Sequence, residues 1–191
     1  CTGLPGPAVL DLPLARALHT ADLAQFGRRY LDHTTWRAQG KRAYTDKTPH
    51  NVFALDLIAR ALPQARFLHM VRGPMDTCFS NLKEWFAGTY PHSYDQAEMA
   101  DHYKRYADLT ALWRTRWPDR IHDVHYDALV TEPERVASEV LAFCGLPDIA
   151  GITDTGARSG TVSTASAMQV REPIHQRFLE QWKRYASHLA P

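Results

Sequence analysis

Arg72 and Ser80 bracket the stretch best suited to chemistry, FLHMVRGPMDTCFSN at residues 67–81. A compact apolar run, read as a buried strand, delivers Arg72 at its carboxyl end. Gly73–Pro74 turns the chain, and Asp76 is a natural cap for a helix that carries Ser80 about one turn inside. An arginine there suits an anion. Backbone N–H groups and the helix dipole favour negative charge, the guanidinium adds a two-pronged clamp, and the hydroxyl adds a neutral donor. The competing reading pairs Arg72 with Asp76 and leaves Ser80 without a role. A second joint, YTDKTPHN at 44–51, offers Lys47 as a point charge for a phosphate or sulfate oxygen, or else a surface lysine beside Asp46. In VHYDALV at 124–130, Tyr126 ends a strand, where its ring can stack on a ligand or simply pack. STASAMQVREP at 163–173 supplies hydroxyls and Arg171 after a small, polar loop.

The elements around these residues follow from periodicity and punctuation. Residues 20–36 read as a helix capped by Thr20, with Leu23, Phe26, Tyr30 and Leu31 on one side. Residues 42–45 read as a short strand. Pro49 opens a helix that Pro63 stops. Residues 65–71 form a strand, 76–86 a helix, 94–117 a long helix, 120–126 another strand and 132–144 a helix between Pro133 and Gly145. A final amphipathic helix runs from Pro173 to about His188. Strands alternating with helices imply an α/β fold, a parallel sheet flanked by helices, with ligands at the carboxyl ends of the strands. His69 on the buried strand 65–71 is read as a satisfied core histidine, and Tyr103, Tyr106, Trp113 and Trp117 as core packing at helical spacing.

Composition narrows the partners. The chain has 191 residues, 22 Lys+Arg against 21 Asp+Glu, and 45% apolar residues. That is the profile of one globular domain, and a net charge of +1 excludes binding to nucleic acid by bulk charge. No run approaches a membrane span. Three widely spaced cysteines make no disulfide framework or metal knuckle and suit a reducing cytoplasm, and the His residues show no HExxH motif, so no metal is expected. The chain begins with Cys1, which suggests a fragment.

Residues 44–82, 120–130 and 161–185 together resemble the sulfotransferases that use 3′-phosphoadenosine 5′-phosphosulfate (PAPS). The likeness is to bacterial sulfotransferase domains, often fused to tetratricopeptide repeats, and to the tyrosylprotein sulfotransferases. It implies a nucleoside-triphosphate-hydrolase-like sulfotransferase fold and transfer of a sulfuryl group from PAPS to a hydroxyl or amine acceptor. Arg72 and Ser80, with seven residues between them, stand where the family grips the 3′-phosphate. Tyr126 stands where a tyrosine lies against the adenine, Lys47 where a lysine supports the bridging and sulfuryl oxygens, and Ser166 where a serine holds the sulfuryl group. The loop from Ser163 and Thr164 through Arg171 to Ile174 would close over the nucleotide, and Trp182 matches a tryptophan of the closing helix.

Two family parts are missing. No strand and phosphosulfate loop precede Lys47, and no glutamate occurs before Glu84 to act as the usual base. Gln181 stands where a basic residue is expected before Trp182. The chain is therefore read as the C-terminal portion of a larger domain, inactive or weakly active alone. Arg158–Thr161 looks like the missing loop but lacks its strand and helix. The rivals are a phosphoryl-transfer enzyme, against which the lack of GxxxxGK[ST] argues, and a non-catalytic nucleotide- or protein-binding module. The acceptor and the oligomeric state are not legible.

Overall fold

The computed structural model describes residues 16–18, 20–86, 88–155 and 172–189. They fall into two compact units, one up to Ala65 and one from Arg66 onward.

The first unit packs helix α1 (Leu23–Thr34) against helix α2 (Leu55–Ala61). Asp22, not Thr20, caps α1: its carboxylate accepts from the Gln25 N–H at 2.9 Å, whereas the Thr20 hydroxyl donates to the Ala17 carbonyl. The expected apolar side is also displaced. Leu23 and Gly27 are the buried positions, while Phe26 and Leu31 are exposed. The smallest side chain on α1 decides this, because at Gly27 the backbone comes against the Ala61 carbonyl. Pro49 opens only a 3₁₀ turn, Pro49–Val52, and α2 starts after Ala54, whose φ of −105° and ψ of 8° interrupt the helix. Residues 42–45 form no strand. Their neighbourhood is held to α1 by side chains: the Tyr44 and Thr34 hydroxyls lie 2.5 Å apart, and the Tyr30 hydroxyl donates to Asp46. Burial and the Asp46 carboxylate push the Tyr30 phenol up to about 12.

The second unit is built on strands β1 (Phe67–Val71) and β2 (Ile121–His125). They pair in parallel, from Phe67 opposite Ile121 to Val71 opposite His125. Parallel strands need a long crossover. Here it holds helix α3 (Pro74–Lys83), the 3₁₀ turn Pro91–Tyr94 and helix α4 (Gln96–Arg116). Asp95 caps α4, accepting from the N–H groups of Ala97 and Glu98 at 2.8 and 2.9 Å. Helix α5 (Tyr126–Thr131) follows β2 directly, and helix α6 (Pro133–Phe143) has Pro133 in its first turn and ends before Gly145 in the left-handed region. Phe79, Met99, Val124, Val130, Val136 and Leu141 are buried. The result is a small parallel sheet flanked by helices, the α/β architecture expected.

Three local expectations change. β1 is not buried on both faces: Leu68 and Met70 are 44% and 51% exposed, because α4 covers only the face that carries His69. Helix α3 is capped by Gly73 with Pro74 in its first turn, so Asp76 lies inside the helix, and the helix stops at Lys83. The final helix does not start at Pro173; a 3₁₀ helix spans only Gln181–His188. The backbone groups that a helix would use before it are taken elsewhere. The Phe178 carbonyl accepts from Arg72, the Glu180 N–H donates to Asp76 at 3.2 Å, and Glu180 is left-handed at φ 55°.

Candidate functional site

The turn between β1 and α3 brings Arg72 and Ser80 to one cavity of about 300 Å³. Thr77, Asn81, Tyr103, Tyr106, His69 and Arg114 also line it. Arg72 is placed by its neighbours. Its Nη2 donates to the Phe178 carbonyl and lies 3.9 Å from Asp76 Oδ1, and its guanidinium stacks over the Tyr126 ring, 4.9 Å from the centroid. Its Nε is buried without a hydrogen-bond partner. Ser80 is half-buried, and its hydroxyl has no partner among the described residues. A guanidinium and a hydroxyl lining one cavity can take a phosphate-sized anion. Both readings of Arg72 thus meet in one side chain, since it faces Asp76 and also lines the cavity with Ser80.

Tyr126 stands at the carboxyl end of β2 as the first residue of α5, with its ring against Arg72. Lys47 belongs to the other compact unit, where it is exposed. Asp46 beside it is engaged by Tyr30 and by Arg37, whose Nη1 lies 3.4 Å from Oδ2. Ser163, Thr164, Ser166, Arg171 and the Arg158–Thr161 segment lie outside the described residues. No group of three or more His, Cys, Asp or Glu side chains that could hold a metal occurs among the described residues, and no helix among them is long and apolar enough to cross a membrane.

The inner wall of the cavity carries a polar network that periodicity alone reads as packing. His69 and Asp123 are partners at the centre of the two strands, with Nδ1 2.7 Å from Oδ1. The tautomer that satisfies both neighbours has Nδ1 donating to Asp123 and Nε2 accepting from the Tyr106 hydroxyl. Arg114 Nε donates to the second Asp123 oxygen at 2.7 Å. The available signal was positional: His69 and Asp123 are each the third residue of a five-residue strand. Burial pushes the Tyr106 phenol up, helped by Tyr103 and Asp123, so it remains a donor. Burial opposes the Asp123 carboxylate, but hydrogen bonds from Arg114 and His69 outweigh it and hold its pKa below the usual value.

That direction sets the pH dependence of stability. A folded-state pKa below the unfolded one adds stability that is present at neutral pH and lost as pH falls through the folded value. Asp123→Asn therefore lowers stability at about pH 7, by roughly 1–3 kcal/mol for hydrogen bonds to a charged group, and the deficit shrinks toward about pH 3. Urea unfolding at the two pH values measures it; an equal deficit at both would show that the ionised pair contributes nothing.

Comparison with known proteins places the chain. The family model described as Sulfotransferase family matches residues 11–150. An uncharacterized protein of Aquifex aeolicus (strain VF5) is 31% identical over 165 residues, covering 85% of this chain. The chain spans 22% of that relative's length. With the β1–turn–α3 unit, its strand-end arginine and the parallel sheet inside the matched residues, the chain belongs to the sulfotransferase family.

Proposed function

We propose that this domain binds PAPS and promotes transfer of its sulfuryl group to a hydroxyl or amine acceptor. The observation that carries the reading is the convergence of Arg72 and Ser80 on one cavity, in a chain of this family. These two residues grip the 3′-phosphate. The donor set fits that group: a fork for two oxygens and a hydroxyl for a third. Tyr126 lies against the adenine, reached from the same strand ends. Lys47 and Ser166 hold the sulfuryl end by charge and hydrogen bonding, and Ser163, Thr164 and Arg171 contribute to nucleotide binding. When bound, PAPS supplies the activated sulfuryl group. The protein's share is to place donor and acceptor in line and to stabilise oxygen charge, as in phosphoryl transfer.

Isothermal titration with 3′-phosphoadenosine 5′-phosphate and with adenosine 5′-phosphate tests the nucleotide half of this reading. The 3′-phosphate is expected to tighten binding at least about tenfold, the value of one charge-assisted hydrogen bond. Equal affinities, or no binding of either, would overturn it. Sulfate transfer from PAPS to a phenol or amine then separates an enzyme from a nucleotide-binding module.

A further inference from the structure

We propose that Asp76 is a positioning residue that couples anion occupancy of Arg72 to the docking of the C-terminal segment 172–189. The inference rests on the reading that Arg72 takes an anion. Asp76 is 12% exposed and divides its carboxylate between two tasks. Oδ2 accepts the Glu180 N–H at 3.2 Å, and Oδ1 faces Arg72 Nη2 at 3.9 Å without a hydrogen bond. The same guanidinium donates to the Phe178 carbonyl. The backbone at 178–180 is thus fastened at both ends by one cation and one anion that face each other.

The fastening is incompletely satisfied. Buried side-chain atoms lacking a hydrogen-bond partner, among the described residues, are Arg72 Nε, Asp76 Oδ1 and His175 Nδ1. Two belong to this ion pair. The third is on the segment itself, where the His175 ring lies 5.2 Å from the Phe178 ring. Buried polar atoms are seldom left unpaired, and here two of the three belong to one ion pair. Beyond it the segment is held more conventionally, by Lys83 Nζ on Gln181 Oε1 at 2.8 Å and by Phe79 against Tyr185, 5.1 Å between centroids.

An anion on Arg72 acts on both fastenings. It competes with the Phe178 carbonyl for the guanidinium N–H groups, being the stronger acceptor. It also places like charge beside Asp76, which is repelled together with the Glu180 N–H that it holds. Segment 178–180 therefore loosens when the site fills, and Asp76 opposes filling in the free protein.

Asp76→Asn keeps an oxygen for Glu180 and removes the charge. Titration with 3′-phosphoadenosine 5′-phosphate should show Asp76→Asn binding about threefold or more tighter than wild type, since a repelling charge is gone. Hydrogen exchange of the Glu180 amide should quicken on ligand addition in wild type and change less in Asp76→Asn, with β1 and β2 amides as the folding control. Weaker or equal binding by Asp76→Asn, or a Glu180 amide indifferent to ligand, would overturn the coupling while the nucleotide reading stands. If wild type binds no 3′-phosphoadenosine 5′-phosphate, the nucleotide reading fails instead, and the ligand-free proteins decide the fastening. Asp76→Ala should then speed Glu180 exchange about tenfold, a local opening, and an unchanged rate would reject it.

Discussion

Arg72→Ala is expected to weaken binding of 3′-phosphoadenosine 5′-phosphate by roughly 30- to 1000-fold, about 2–4 kcal/mol for a lost charge-assisted fork. Three contacts focus on this side chain: the Phe178 carbonyl, the Asp76 carboxylate and the Tyr126 ring. Alanine removes the only cation among them and leaves Asp76 buried beside an anion site. The charge balance therefore reverses, and the ligand meets a carboxylate where it met a guanidinium. Some folding stability goes too, through the stack on Tyr126 and the bond to Phe178. That part amounts to roughly 1–3 kcal/mol, small enough for circular dichroism to confirm a folded chain before titration. A loss below about threefold would show that the phosphate is held elsewhere.

Gly27→Ala is expected to destabilise the first unit by roughly 2–4 kcal/mol. Alanine in a helix interior ordinarily gains up to about 1 kcal/mol over glycine. Here a Cβ would stand 1.9 Å from the Ala61 carbonyl oxygen and 2.8 Å from its carbon. Both are backbone atoms, so no side chain can swing away; α1 and α2 must separate. Around them Leu23, Leu55, Ala59 and Ala61 are all buried, and separation exposes them together. Denaturant unfolding reads the effect, and a neutral or stabilising result would mean that the two helices do not pack in this way.

Reading ahead from sequence succeeded where the cause is local. Pro133 and Gly145 mark helix ends through their own backbone limits, and the apolar run before Arg72 is a strand next to a turn, as its composition requires. The convergence of Arg72 and Ser80 on one cavity was legible for the same reason, since a single turn and helix carry both. Features that depend on distant partners were not. Residues 42–45 have strand-like composition but pair with no strand among the described residues. The final helix yields to Arg72 and Asp76, about a hundred positions earlier, which claim the Phe178 and Glu180 backbone. Tyr106 and Tyr103 sit at helical spacing and read as packing, yet both line the cavity, because the partner of Tyr106 is a histidine on another element.

The His69–Asp123 pair also bears on how the sheet comes together. The two residues are 54 positions apart, so β1 and β2 meet only after a large loop closes, an entropic cost met before any pairing is rewarded. A mostly apolar strand such as FLHMV tolerates several alignments by hydrophobicity alone. A slip of one residue would set His69 opposite His122 or Val124 and turn the Asp123 carboxylate toward the other face, away from Arg114 and His69. The misaligned sheet would strand a carboxylate, a guanidinium and an imidazole at once. One hydrogen-bonded polar pair at mid-strand thus acts as a proofreading check on assembly, rejecting wrong alignments that apolar side chains would accept.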